Sequence, residues 1–555
     1  MSILNYFPPG FTPRQIQVDL IKKIEDAFNS GYQNVILSAP TGIGKSYIGG
    51  TFALFNESSN LITATKTLQD QYSKDLVFLK SVKGKSNFVC LDLMKRKKID
   101  LTDKAKAVEK NLTCNYGKCE KTKVVNGKKI KKICEFKPLL SNMQSQNNSF
   151  TCDYYVQKYD GLKNKHTVWN YASYFQLLKY QMDVYSVYFK RKIGIFDEAH
   201  KIENEIISFI GIDIDKNDFK ECQIGINNRN LQDIDVIINI LDSLANSYSR
   251  KINNLENSIA FQNDPNYEYL VKLEDKYKKF FNSKIDISSN KDNFIINDPI
   301  FKNGKFSSIS IKPLDVSKYA HEFFNNSKQI FMSATIDKSS FCENYGFKPD
   351  KVEIIDTPKS PFSIQNRRVC FLNVRSLSIN SSEQDEQSVI RKIDQILTKH
   401  NNVRGLILTS SKQRCIKIKE NLSVLNEKRI RLCHSTNDNG KTQNQIVDDH
   451  SKDPTGVLLS SSLWEGIDLK DELSRFQIIA KTPYQDLSEK RVKEKKDRYP
   501  LWYNSQAITK LLQGFGRSIR SENDWANTYV LDSNAHNLLK NNIELVPAAY
   551  HDLLN

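Results

Sequence analysis

An α/β fold built on two separate parallel sheets is predicted by three observations. Short apolar runs of strand length recur along the chain, at 34–38, Leu61 to Ala64, Ile193 to Phe196, Gln329 to Met332, Leu406 to Thr409, Val457 to Ser460, Gln477 to Ala480 and Thr528 to Leu531. Helix-period segments separate them, the pattern of strands buried on both faces. The 555 residues also exceed one core, at roughly 100–200 residues per domain, and the runs spread over the whole length.

The run Asn34-Val-Ile-Leu-Ser38 reads as a buried strand, followed by a Gly-rich turn and a helix beginning near Lys45. Two stretches interrupt the alternation. From Val82 to Lys165 there are 20 Lys or Arg against 8 Asp or Glu, more than half of the net charge of +17. From Ile202 to Ile311 the chain is Asn-, Asp- and Ile-rich with helical spacing, as in the segment from Asp233 to Leu244, and a mainly helical insertion is expected. The expected division is a first lobe from 1–82, 166–201 and 312–350, interrupted by insertions at 83–165 and 202–311, and a second lobe at 351–555.

The charge favours a polyanion as partner, although Asn, Lys and Ile richness also fits an AT-rich genome. No stretch approaches the roughly 18–20 apolar residues of a membrane span, and MSILNYFPPGF lacks a basic head with an apolar core. The expectation is a soluble intracellular protein without a membrane partner, in cytoplasm or nucleoid, or in a nucleus or viral factory if the host is eukaryotic.

Ala39-Pro-Thr-Gly-Ile-Gly-Lys-Ser46 fits a phosphate-binding loop, with Ala39 in place of the first glycine. Gly42 and Gly44 let backbone N–H groups face phosphates, Lys45 can bridge β and γ oxygens, and the Ser46 hydroxyl can reach Mg²⁺. Phe196-Asp197-Glu198-Ala199-His200 follows an apolar run and so sets two carboxylates at a strand's carboxyl end. Asp197 is the expected Mg²⁺ partner, and Glu198 the group that orients and deprotonates the attacking water. In Gln513-Gly-Phe-Gly-Arg-Ser-Ile-Arg520, Arg517 and Arg520 are expected fingers for the γ-phosphate of ATP, which would then sit between two lobes.

In this order the motifs resemble those of superfamily 2 helicases. Arg14-Gln-Ile-Gln17 resembles the adenine-side Q motif, with Gln17 as base reader. Thr65-Lys-Thr-Leu-Gln-Asp-Gln71 resembles motif Ia, Ser333-Ala-Thr335 motif III, Trp464-Glu-Gly-Ile-Asp468 motif V, and Gln513 to Arg520 motif VI. The long intervals on either side of the DEAH box, with Lys83 to Cys90 opening the first and Cys152-Asp-Tyr-Tyr155 closing it, are similar to the XPD/DinG family. That resemblance implies two RecA-like lobes, an iron-sulfur insertion, a helical arch insertion and 5′ to 3′ movement on single-stranded DNA.

Five of the ten cysteines, Cys90, Cys114, Cys119, Cys134 and Cys152, fall inside the basic insertion, which points to metal before disulfides. Sulfur-only ligation suits zinc or a [4Fe–4S] cluster; the irregular spacing and the resemblance favour the cluster. The set chosen is Cys90, Cys114, Cys119 and Cys152, with Cys134 the alternative third ligand, because an Asn126-Gly127 turn would pair Cys119 with Cys134. Lys128, Lys129, Lys131 and Lys132 on that hairpin could contact phosphates or form an ordinary solvated run. Tyr154, Tyr155, Trp169 and Tyr171 could stack on bases or pack in the core.

The expected function is an ATP- and Mg²⁺-dependent DNA helicase acting on single strands and DNA junctions in repair, recombination or replication. A recruiting subunit has no physical need for the ATP residues. An RNA helicase holding zinc remains the other motor reading, and no extra acidic metal-binding domain suggests an exonuclease.

Overall fold

The structure, a computed structural model, describes residues 2–554 apart from 126–127, 140, 142–148, 181–190, 226–229, 264–265, 325, 379, 435–439, 466–468 and 520–522. The segment Asn34–Ser38 carries no charge to solvate and is buried at every position. It lies second in a seven-stranded parallel sheet whose order is 352–356, 34–38, 328–333, 193–197, 59–63, 166–170 and 80–81. Register places Ser38 beside Ser333 and Met332 beside Asp197. The phosphate loop, the DEAH box and Ser333-Ala-Thr335 therefore leave one edge of the sheet together. Burial of side chains such as Phe196 and Phe331, stacked at 5.0 Å, packs two of the central strands together, each contributing roughly 1.5–3 kcal/mol.

A second parallel sheet of six strands has the order 369–375, 527–532, 476–479, 405–408, 457–460 and 430–432. All eight strand segments expected from the apolar runs are present. The boundary between lobes differs from the expected 351: Val352–Asp356 pairs with Asn34–Ser38 and completes the first sheet. The strands His166–Asn170 and Val369–Arg375 are further additions, less apolar and so less visible in sequence.

The first insertion contains short helices Leu91–Arg96 and Lys104–Glu109, the hairpin Glu120–Val125 with Lys128–Ile133, and the helix Asp153–Lys163. Glu120 pairs with Ile133, so Cys119 stands opposite Cys134, whose N–H donates to the Cys119 carbonyl at 2.9 Å. The turn 126–127 and the side chains of Lys128, Lys129, Lys131 and Lys132 lie outside the described residues.

The second insertion is not mainly helical throughout. A helical pair, Ile234–Glu256 and Tyr267–Ser289, stands on an antiparallel sheet made by 212–215, 294–296, 300–302 and 305–313. The alternation in Lys305–Pro313 gives that strand its period of two, inside a region whose overall composition favours helix. The two insertions touch: Lys118 pairs with Glu274 at 2.5 Å, the Arg96 guanidinium lies 4.5 Å above Tyr267, and the Lys272 ammonium 5.2 Å above Tyr116. Together with the first lobe they surround an opening lined by Lys66, Lys83, Lys118, Trp169 and Lys278. Among the described residues no helix is long and apolar enough to cross a membrane.

Candidate nucleotide site and cysteine centre

Gly42 and Gly44 have φ of 83° and 86°, a left-handed backbone that favours glycine and turns the loop around its own centre. A Cβ on Gly42 would meet the Phe362 ring at 2.5 Å, and one on Gly44 would meet Gln17 Nε2 at 2.4 Å. Ala39, in the place of the usual first glycine, is fully buried and donates its N–H to the Ser333 carbonyl at 2.8 Å. The Lys45 ammonium is held by the Ala39 and Pro40 carbonyls at 2.9 and 3.3 Å, inside the loop that would enclose phosphates. Gln17 is placed at the loop, and both ends of its amide are engaged. Its oxygen accepts from the Arg14 N–H at 2.8 Å and its nitrogen donates to the Ile43 carbonyl at 3.0 Å, while Arg14 Nη2 reaches the Gly42 carbonyl at 2.7 Å.

Asp197 and Glu198 end the strand Ile193–Asp197 as expected. Burial, then the neighbouring Glu198 charge, pushes the Asp197 carboxyl up to about 6 against the pull of Lys45. Burial acts the same way on Glu198, but His200, Lys45 and Lys201 outweigh it and hold that carboxyl below its usual range. Two adjacent carboxyls are thus pushed apart, and the ionised Glu198 is the one fitted to accept a proton. Sequence reasoning did not find Tyr72, whose hydroxyl donates to Asp197 Oδ2 at 2.9 Å and also contacts Ser46. It joins the two groups expected to hold Mg²⁺. Tyr171, weighed as a stacking residue, is fully buried and donates to the Asp197 carbonyl at 2.8 Å. Tyr154, Tyr155 and Trp169 are likewise buried.

His200 collects both lobes. Its Nδ1 lies 2.9 Å from Ser333 Oγ and 3.4 Å from Glu198, and its Nε2 lies 2.8 Å from the Gln513 amide and 3.7 Å from Glu465. Lys201 pairs with Glu465 at 2.8 Å. The imidazole thus faces the Gln513 amide with Nε2 and Ser333 and Glu198 with Nδ1. Gln513 is positioned by the helix Pro500–Phe515, and a Cβ on Gly516 would stand 3.6 Å from Thr41 of the phosphate loop. Arg517, the next residue, is buried at this junction. Arg520 and residues 466–468 lie outside the described residues.

All five clustered cysteines line one pocket with Gly117, Phe136 and Tyr155. Cys114 Sγ is 3.9 Å from Cys152 Sγ and hydrogen-bonds with the Cys90 thiol, while a Cβ on Gly117 would collide with Cys90 Sγ. Burial pushes Cys134 up to about 12 and raises Cys119, against Lys85 and Tyr155. The donor set fits a sulfur-ligated cluster, with one thiol more than four ligands need. Among the described residues no three Cys, His, Asp or Glu are gathered as for a single metal ion.

Comparison with known proteins agrees with this layout. The helicase C-terminal domain family matches residues 393–547, and the family of the type III restriction enzyme res subunit matches 10–227. The ATP-dependent DNA helicase YoaA of Haemophilus influenzae is 21% identical over 599 aligned residues, covering 94% of this chain and 91% of that one. The Escherichia coli YoaA is 34% identical over 100 residues, 16% of each chain. A solved XPD helicase superposes with a TM-score of 0.61 at 15% identity, covering 95% of this chain and 98% of that one. Xpd4 of S. tokodaii gives 0.56 at 13% identity, over 95% and 97%. Fold and site define a two-lobed P-loop chain of the helicase class. Within that class it is similar to XPD/DinG-like helicases: its fold superposes on the solved XPD structures and its C-terminal part matches the helicase C-terminal domain family.

Proposed function

We propose that this chain is an ATP-driven DNA helicase that moves 5′ to 3′ along single-stranded DNA, opens DNA junctions, and serves repair, recombination or replication. The observation that carries this reading is the junction at His200, where the hydrolytic carboxylate of one lobe and the Gln513 helix of the other meet on one imidazole. Such a junction senses whether the lobes are closed over a nucleotide. The similarity to YoaA, whose name specifies an ATP-dependent DNA helicase, supports DNA as the polymer.

In this mechanism the Gly42 to Ser46 loop and Lys45 grip the phosphates, Glu198 orients water and takes its proton, and Arg517 and Arg520 neutralise charge on the γ-phosphate. Ser46 and Asp197, aligned by Tyr72, would hold Mg²⁺, which supplies charge neutralisation at the phosphates. Cys90, Cys114, Cys152 and one of Cys119 or Cys134 would hold a [4Fe–4S] cluster, which cross-links the loops of the insertion. The lysines around the opening between insertions and lobe suit a phosphate backbone. Purified anaerobically, the chain is expected to carry iron and sulfide, to show ATPase stimulated by single-stranded DNA, and to unwind duplexes with 5′ tails. Cys90→Ser is expected to retain ATPase and lose unwinding. RNA-specific stimulation with zinc in place of iron would replace this reading by the RNA motor.

A further inference from the structure

Five residues beyond Glu198 the same chain direction carries a second polar contact between the lobes. Glu203, in the helix Ile202–Ile210, is 2% exposed; Arg491, Lys495 and Trp502 from the second lobe are 4%, 2% and 2% exposed. One carboxylate oxygen accepts from Arg491 at 2.8 Å and Lys495 at 2.6 Å, and the other from the Trp502 indole at 2.7 Å and Asn344 at 3.1 Å. Arg491 Nε also donates to the Pro313 carbonyl at 2.7 Å. Glu203 stands where the chain leaves for the second insertion and Pro313 where it returns, so one cluster fastens both feet of that insertion, the first lobe and the second.

We infer that the Glu203, Arg491, Lys495 and Trp502 cluster is the fixed pivot on which the second lobe turns as nucleotide binds, and that these are positioning residues for the coupling of ATP to DNA. Three features carry this. The cluster is buried and both Glu203 oxygens are bonded, so parting it would strand an uncompensated charge on each side. Two connections leave it: the short turn Ala199–Lys201 back to His200 and Glu198, and a second, helical rod within Pro500–Phe515 from Trp502 to Gln513, which also touches the first lobe through Ser505 with Asp337 at 2.9 Å and Thr509 with the Thr335 carbonyl at 3.0 Å. At 1.5 Å per residue the second rod is about 16 Å long, so a turn of about 10° at the pivot moves Gln513 by about 3 Å, enough to make or break its bond to His200. The helix Lys490–Arg498 that brings Arg491 and Lys495 is also tied to the insertion, through Lys490 with Asp298 at 2.7 Å and the Arg491 N–H to Asn297 at 3.3 Å. Rotation of the second lobe therefore reaches the insertion through this one helix.

The inference rests on the proposed motor, and its test separates the two. On the full wild-type chain, hydrogen exchange is followed with and without AMP-PNP, Mg²⁺ and oligo-dT. Amides of 203–206 and 492–503 are expected to keep their rates within about twofold, while 513–518 slow by about tenfold or more. A tenfold change in the first group overturns the pivot, and this arm needs no variant to fold. In the second arm, Glu203→Gln is expected to keep basal ATPase within about twofold and an unchanged KM for ATP, while kcat with single-stranded DNA falls by about tenfold or more and Glu203→Asp restores part of it. Full DNA stimulation in folded Glu203→Gln overturns the inference. A wild type that DNA fails to stimulate instead overturns the proposed motor, while the exchange data still decide the pivot.

Discussion

Two polar junctions join the same two lobes within five residues of one another, and they are built to opposite rules. At Glu203 the carboxylate is buried and both its oxygens are filled, by four donors. At His200 the bonds pass through the imidazole and the neighbouring Lys201–Glu465 pair, and among the described residues the buried Gln513 Oε1 and Thr335 Oγ1 have no partner. A saturated buried network is costly to part, whereas an incompletely satisfied one is ready for a ligand or a change of partner. The difference separates the junction that holds from the junction that switches.

The largest expected effect falls on the switching side. Lys45→Ala and Glu198→Gln are each expected to lower ATP turnover by about 10²-fold or more with the fold intact by circular dichroism, since they remove charge stabilisation or water activation. Appreciable turnover in either would remove the nucleotide chemistry from this junction. On the holding side, Glu203→Ala leaves Arg491 and Lys495 buried without their anion, and a loss of roughly 3–5 kcal/mol is expected in urea unfolding. The carboxyl is held down at about 2, burial opposing and Lys495 and Arg491 prevailing. Its stabilising contribution is therefore complete above its unfolded pKa of about 4.5 and lost as pH falls through about 2. A smaller effect is expected from Gln513→Ala: kcat down by about tenfold, with stability changed by less than about 1 kcal/mol. Equal stability losses for Glu203→Ala and Gln513→Ala would erase the distinction between the junctions.

The smallest expected effect lies outside both and serves as their control. His166, in the first sheet, is held down at about 4 by burial, aided by Arg191 and Lys165. The unfolded ring takes its proton near pH 6.5 and the folded one only near 4, so this contribution is complete above 6.5 and lost as pH falls to 4. His166→Gln is expected to flatten the fall in Tm over that window without altering ATPase; identical slopes in both proteins would exclude the ring as the cause.

Much of this molecule could be read from local pattern. Asn34-Val-Ile-Leu-Ser38 announces a buried strand, the Gly42 to Ser46 loop announces phosphates, and the Asn-Gly dipeptide announces a hairpin register placing Cys119 opposite Cys134, the register in which Glu120–Val125 and Lys128–Ile133 pair. These features depend on residues close in sequence, whose backbone preferences and periodicity act without the rest of the chain. Strand Val352–Asp356 is harder to read: Glu353 and Asp356 break its apolar run, and only pairing with Asn34–Ser38 assigns it to the first lobe.

The sequence by itself determined two parallel sheets, the order of the motifs and the thiol-rich insertion, because each is written in short-range spacing. Tertiary structure alone decided that Tyr72 would join Ser46 to Asp197, that His200 would meet Gln513, and that Glu203 would meet Arg491 and Lys495. The partners of Glu203 lie 288 and 292 residues away. No local propensity links such positions; a buried carboxylate is stable only where the folded chain delivers its donors.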